Sequence, residues 1–183
     1  MKADNQGNRT MKVWQQVMAA LLLLSGSAVQ AAETALGGVP ITVTLTNLPK
    51  ITVEKPGGGW YDILTLSNSA GSDVTRYQVQ VPVEVKIRNE RDFMVSLTQP
   101  LLLTHATKPA LTFTTEEVSF GSNTSTLKPL SATPVDFSNT LQVGDTSTGS
   151  YLLSVKTRQP LGVLGEVSGN YQGKLVLLFE VKV

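Results

Sequence analysis

The stretch RYQVQVPVEVKIRN, residues 76–89, decides the fold of this chain. From Tyr77 to Ile87 every second side chain is apolar, and the side chains between them are polar, charged or proline. A period of two is typical of a β-strand with one buried face and one face in solvent. Because Pro82 has no N–H to donate to a neighbouring strand, we expect this strand to lie at a sheet edge or to carry a bulge there.

The same alternation recurs along the chain. A polar turn at residues 89–92 precedes a second alternating run at 93–97, and with residues 77–88 this run predicts a β-hairpin. Further strands are predicted at residues 51–54, 61–67, 111–114, 141–143, 151–157 and 175–183. No window after residue 31 has a convincing helical period. The pattern therefore predicts an all-β, immunoglobulin-like sandwich.

The first 31 residues predict an export signal. Lys12 supplies positive charge, residues 17–24 form an apolar run, and Val29-Gln30-Ala31 offers small residues for cleavage after Ala31. The apolar run is too short for a bilayer, which needs about 20 residues. Translation starts at Met1 or at Met11. Removing 31 of the 183 residues leaves 152, which is enough for one domain with a real core.

Charge and cysteine content narrow the function classes. Without Lys2, Arg9, Lys12 and Asp4, the 15 basic and 14 acidic side chains fall to 12 and 13. This near-neutral balance predicts no nucleic-acid partner. The chain has no cysteine, although export leads to a compartment where disulfides form. We therefore expect packing and strand pairing to provide the stability, with no cofactor or metal.

Residues 37–47, GGVPITVTLTN, form the first strand after the signal. Its apolar side chains share one face, and threonines occupy the other. Pro49 biases Leu48 toward an extended backbone, so this strand can project away from the domain. The last strand places Leu175, Leu177, Phe179 and Val181 on one face, and the sequence then ends. A spare strand at one end and a missing strand at the other favour pairing between chains. Pairing of residues 37–47 within their own sandwich is the alternative.

The order of these segments resembles a known family, the pilin subunits of class 5 (alpha-type) fimbriae of the alternate chaperone–usher pathway. The matching pieces are ITVTLTN (41–47), Pro49, RYQVQVPVEVKIRN (76–89), FMVSLTQ (93–99) and SGNYQGKLVLLFEVKV (168–183). The absence of cysteine also fits this group. The charged tail with Glu180 and Lys182 departs from the usual pattern, as does the EKPGGGW loop.

The resemblance implies a sandwich that lacks its last strand and receives it from a neighbouring subunit. Residues 32–47 would then be the donor extension, and residues 48–183 the pilin domain. The donor side chains would be Val39, Ile41, Val43 and Leu45, and the last strand would line the acceptor groove. The implied partners are identical or related subunits, a periplasmic chaperone and an outer-membrane usher. The implied location is a fimbria on the surface of a Gram-negative bacterium, used in adhesion.

The other candidates for ligand binding or catalysis are an aromatic pair, a histidine and two adjacent glutamates. Trp60 and Tyr61 follow three glycines and could stack on a sugar, which gives the alternative function of a self-contained exported carbohydrate-binding module. His105, the only histidine, lies in a Thr-rich segment that predicts a solvated loop. Glu116 and Glu117 are adjacent, so on a regular strand they would point to opposite faces, and a solvated loop is predicted for them as well. Because no nucleophile motif accompanies them, we predict that the chain is not an enzyme.

Overall fold

The computed structural model describes residues 38–46, 51–68 and 73–182, all within the compact unit that begins at Glu33. The predicted signal, residues 1–31, lies outside the described residues, as do residues 32–37 and 47–50. The described part consists of twelve strands and one short helix. The elements are β1 Val39–Thr46, β2 Ile51–Glu54, β3 Ile63–Asn68, β4 Arg76–Arg88, β5 Asp92–Leu97, β6 Leu103–His105, β7 Thr112–Gly121, β8 Lys128–Pro129, β9 Val135–Ser138, β10 Leu141–Val143, β11 Thr146–Arg158, α1 Leu164–Val167 and β12 Tyr171–Val181.

The all-β prediction is confirmed. Along β4, Tyr77, Val83, Val85 and Ile87 are buried, as the period of two requires. In β12 the buried side chains are likewise alternate residues, Tyr171, Leu175, Leu177 and Phe179. The one helix of the described residues has four residues, and no helix there is long and apolar enough to cross a membrane.

Pro82 lies at a local gap in the pairing of a central strand. Along one edge β4 pairs with β11, and along the other it pairs with β2 up to Glu84 and with β3 up to Gln78. The hydroxyl of Tyr61 donates to the Pro82 carbonyl oxygen at 2.9 Å within this gap. Because N and C=O of one strand residue point to the same side, the missing N–H of Pro82 faces no strand.

Two sheets enclose the core. Sheet I contains β3, β1, β12, β5 and β9 in that order, with β6 beside β12 as well. Sheet II contains β2, β4, β11, β7 and β8 in that order, with β10 beside β11. The end of β3 pairs with β4, and the start of β7 pairs with β6, so these two strands cross between the sheets. Pairing of β1 with both β3 and β12 closes this circuit.

The predicted hairpin of residues 77–88 and 93–97 is wrong. β4 belongs to sheet II, whereas β5 pairs with β12 and β9 in sheet I. Residues 89–91 cross from one sheet to the other, and Asn89 has a φ of 61°, in the left-handed region that Asn tolerates better than most residues. Its N–H donates to the Asp145 carbonyl at 2.6 Å. The two alternating runs therefore face each other across the core.

Aromatic rings fill the core beside this crossing. Phe93, Phe120, Phe137, Tyr151 and Phe179 contact one another with ring centroids 4.9–6.3 Å apart, both stacked and edge to face. They come from β5, β7, β9, β11 and β12, so the cluster joins both sheets. Because aromatic pairs contribute about 0.5–1.5 kcal/mol each beyond their burial, the cluster anchors one half of the sandwich.

Tyr151 predicts a loss of stability in alkali. Burial raises the pKa of its hydroxyl from 10.0 to about 12. The folded state therefore holds this proton more tightly than the unfolded state, and its contribution is complete below pH 10 and disappears as the pH rises toward about 12. We expect the free energy of unfolding, measured in denaturant, to fall across that range. Tyr151→Phe should make the fall shallower, and an unchanged slope would contradict this role.

Candidate functional site: the groove of strand β1

β1 lies between β3 and β12 in sheet I. It runs antiparallel to β3, with Val39 opposite Leu66, and parallel to β12, from Ile41 opposite Gly173 to Thr46 opposite Leu178. Within the single chain, the first strand thus occupies a groove of its own domain. This is the pairing that the sequence left open as the alternative.

The apolar face of β1 points into the core. Val39, Ile41 and Val43 are 2%, 0% and 6% exposed, and Leu45 is partly buried against the same cluster. Pro40 and Thr42, between them, are exposed. At about 1.5–3 kcal/mol for each fully buried aliphatic side chain, the three buried residues contribute about 5–9 kcal/mol before entropy costs. This is comparable with the whole stability of a typical domain.

Two of the four predicted groove residues of β12 lie directly beside β1. Leu175 is opposite Val43 and Leu177 is opposite Leu45, and both leucines are completely buried. Phe179 and Val181 lie beyond the end of the β1 pairing, and on the other edge of β12 they are opposite Val95 and Phe93 of β5. Phe179 is also completely buried, and Val181 is partly buried.

The second wall of the groove is β3, which the sequence did not indicate. Leu64 and Leu66 of β3 are buried opposite Ile41 and Val39. A Cβ at Gly38 would lie 2.4 Å from Cγ2 of Thr65, so glycine lets the chain enter this wall without displacing that side chain. Residues 61–67 were predicted as a strand, but alternation gives no signal for which strand stands next to another.

The Trp60–Tyr61 pair is held within the domain. Both rings are half-buried, pack against the core cluster, and contact each other edge to face at 5.7 Å between centroids. Burial raises the pKa of Tyr61, whose hydroxyl donates to Pro82 across the gap in β4. The preceding glycines, residues 57–59, all have positive φ, and the N–H of Gly58 donates to the Lys55 carbonyl. The two rings thus close the space between β2 and β3.

His105 is buried rather than solvated, which corrects the sequence prediction. It ends β6 with 6% exposure, and its Nδ1 accepts hydrogen bonds from the backbone N–H groups of Thr107 and Lys108. Nε2 then carries the proton and faces the carbonyl oxygen of Ser168 at 3.2 Å. Both ring nitrogens are therefore occupied by backbone partners, and the ring supports a loop junction.

The two adjacent glutamates lie at a β-bulge. The pairing of β7 with β11 shifts between Lys156 and Thr157, so Glu116 is an extra residue without a direct partner in register. Its carboxylate accepts from Arg76 and Arg158, both at 2.8 Å, and Glu117 lies 3.4 Å from Lys156. The predicted solvated loop is wrong for both glutamates, because both are part of β7.

These charges form a structural network. Desolvation raises the pKa of Glu116, but hydrogen bonds from Arg76 and Arg158 outweigh it and leave the pKa below its ordinary value. Hydrogen bonds from the hydroxyl and N–H of Thr75, with help from Arg158, lower the pKa of Asp73 to about 2. Each acid is thus ionised and paired. Among residues 38–46, 51–68 and 73–182, no three His, Cys, Asp or Glu side chains are placed to hold a metal ion.

Comparisons with known proteins found likeness in structure but none in sequence. No protein-family model matches the chain, and no curated protein matches it in sequence. A solved structure described as the CooA pilin subunit from enterotoxigenic Escherichia coli is similar in fold, with 16% sequence identity and a TM-score of 0.47. The match covers 74% of this chain and 100% of that chain. At this identity and TM-score, the likeness assigns no role to any residue.

Proposed function

We propose that this chain is the structural subunit of a surface fimbria that polymerises when β1 leaves its own groove and fills that of a neighbour. One observation carries the proposal. β1 closes the circuit of strands by pairing with both β3 and β12, yet only residues 47–50 join it to the rest of the domain. An element attached through a short hinge is suited to exchange between identical copies.

An unfilled groove would be costly to the subunit. Without β1, the edges of β3 and β12 would have unpaired backbone groups, and Leu66, Leu175 and Leu177 would lose their cover. Open, apolar edges promote association with other strands. This cost favours a subunit that is always filled, by its own strand, by a neighbour's strand or by a chaperone. It supports a periplasmic chaperone as a partner, and the sequence resemblance implies an outer-membrane usher as well.

The direction in which β1 enters a neighbouring groove decides whether exchange gives a closed dimer or a fibre. Thr46 lies near the end of β12 at Val181, so the hinge starts at this end of the sandwich, the Val181 end. If a neighbour's β1 entered parallel to β12, its hinge would also reach the Val181 end, and two copies would close into a symmetric dimer. Entry from the opposite end, where β12 begins at Tyr171, would instead connect unlike ends.

A fimbria therefore requires β1 to enter its neighbour antiparallel to β12. The Val181 end of one copy then meets the Tyr171 end of the next, and the contact repeats without closing. Side chains at every second position keep the same face in either direction, so Val39, Ile41, Val43 and Leu45 can fill the groove both ways. The filled single chain is, in this proposal, the form that precedes exchange.

Refolding with a labelled strand tests the proposal. The full chain would be unfolded in denaturant and refolded at increasing concentration, with or without a fluorescent peptide of residues 38–46. We expect heat-resistant multimers at high concentration, shortened by excess peptide that remains bound through gel filtration. A matched peptide carrying Ile41→Asp should neither bind nor shorten them. If the unaltered peptide behaves like its Asp variant, β1 is not exchanged and the proposed function is wrong.

A further inference from the structure

Four of the six large apolar side chains that are exposed among the described residues lie at the two opposite ends of the sandwich, and the other two are Ile63 and Leu102. Leu141 and Val143 of β10 are 63% and 74% exposed, and β10 pairs with the first residues of β11 at the Val181 end. Leu161 and Val163 are 94% and 64% exposed and follow the last residue of β11 at the Tyr171 end. β11 has 13 residues, so the two pairs are roughly 40 Å apart.

At the Tyr171 end, Leu161 and Val163 lie on an ordered loop. Val167 is 2% exposed, and the hydroxyl of Tyr171 donates to its carbonyl oxygen at 2.7 Å. The N–H groups of Glu166 and Val167 donate to the carbonyl of Val163 at 2.9 and 3.2 Å. A Cβ at Gly162 would lie 2.6 Å from Val167, so the glycine lets the loop lie close to its anchor. Leu161 is thus held outward on a fixed support.

At the Val181 end, Leu141 and Val143 lie on the hairpin of β10 and β11. Leu141 and Val143 are alternate residues of β10 and share one face. Gly144, with a φ of 62°, makes the turn into β11, and Arg88 binds Asp145 at 2.8 Å. Two apolar side chains on a short, braced strand form a small flat surface, and the hinge at residues 47–50 starts from the same end.

We propose that Leu141 and Val143 of one copy dock against Leu161 and Val163 of the next copy in the fibre. This inference rests on the proposed function, because antiparallel exchange brings the Val181 end of one copy to the Tyr171 end of the next. The contact is heterologous, so it repeats along the fibre and sets the angle between successive subunits.

The size of the two surfaces explains why they need the exchanged strand. Two side chains on each partner cover far less than the roughly 1,200 Å² that a stable free interface buries. Once β1 is inserted, the short hinge gives the two ends an effective concentration on the order of millimolar. The contact then forms within the fibre but not between free subunits. Its effect is to fix the angle between two subunits that the exchanged strand alone would join.

Disulfide trapping tests the contact, since the chain has no cysteine of its own. The full chain would carry Val143→Cys and Leu161→Cys, form multimers, be oxidised and be run on a denaturing gel without reductant. A disulfide needs Cα atoms within about 7 Å, so the two cysteines of one folded chain cannot join. We expect a ladder of covalent trimers and longer species that reductant removes.

Two controls separate this inference from the proposed function. In the control chain, Leu102→Cys replaces Leu161→Cys at a 58% exposed leucine just before β6, and it should give no ladder. Multimers that bind the labelled β1 peptide but yield no ladder above this control would overturn the docking contact alone. Efficient dimers from Val143→Cys by itself would also overturn it, because like ends would then meet. Failure of the peptide in the unaltered chain would remove the proposed function and this contact with it.

Discussion

Ile41→Asp should abolish multimers and strongly destabilise the filled single chain. Ile41 of β1 is completely buried and lies between Leu64 of β3 and Gly173 of β12. Loss of its packing costs about 2–5 kcal/mol, and a buried carboxylate without a partner adds to that cost. The variant strand fits neither its own groove nor a neighbour's. Gel filtration at a concentration where the unaltered chain forms multimers would measure the effect.

Thr42→Asp is the matched control for this prediction. Thr42 is the next residue of the same strand, and its side chain is exposed, so the same charge stays in solvent. We expect normal multimers and a free energy of unfolding within about 0.5 kcal/mol of the unaltered chain. Normal multimers from Ile41→Asp would show that β1 does not hold subunits together.

A disulfide that locks β1 in its own groove should stop polymerisation reversibly. Thr44 of β1 and Val176 of β12 lie opposite each other, and both are half-buried. Neighbouring strands are about 4.8 Å apart, within the range that a disulfide bridges. The double variant Thr44→Cys with Val176→Cys should stay monomeric when oxidised, because β1 cannot leave. Closing a loop of more than 100 residues should also stabilise it by about 4–5 kcal/mol.

Reduction of the same sample is the internal control. With the disulfide broken, the chain should form multimers as the unaltered protein does, measured by light scattering before and after reductant. Thr44→Cys alone, taken through the same oxidation, should polymerise under both conditions. Multimers that form from the oxidised double variant would show that the subunits associate through some other surface, and strand exchange would then be excluded.

Much of the fold could be predicted, because alternation is a local property. The runs at residues 77–88 and 175–181 have their apolar side chains in the core as predicted, and the face of β1 carrying Ile41 and Val43 is buried. β6, β8 and β9, with three, two and four residues, were not predicted. Strands this short contain few alternations, so the pattern detected those at residues 51–54 and 141–143 but missed these three. The buried His105 was missed for a different reason: its partners are backbone groups, which leave no mark in the sequence.

Tertiary structure alone decided which strands are neighbours. The run at residues 93–97 was predicted to form a hairpin with β4, yet it lies across the core in the other sheet. The alternation could not distinguish these two arrangements, because both of them bury the same apolar side chains. Likewise, Leu64 and Leu66 became the second wall of the β1 groove through the crossing of β3 between the sheets.

The sequence by itself determined which face of each strand is buried, since this depends on side chains that differ from residue to residue. The edge that a strand presents consists of N–H and C=O groups that are the same for every residue except proline. Pairing, direction and register therefore depend on how the whole domain closes around its core. For β1, the alternation alone determines that Val39, Ile41, Val43 and Leu45 are the residues that fill a groove. The fold supplied the groove between β3 and β12 and the parallel direction in which the single chain fills it.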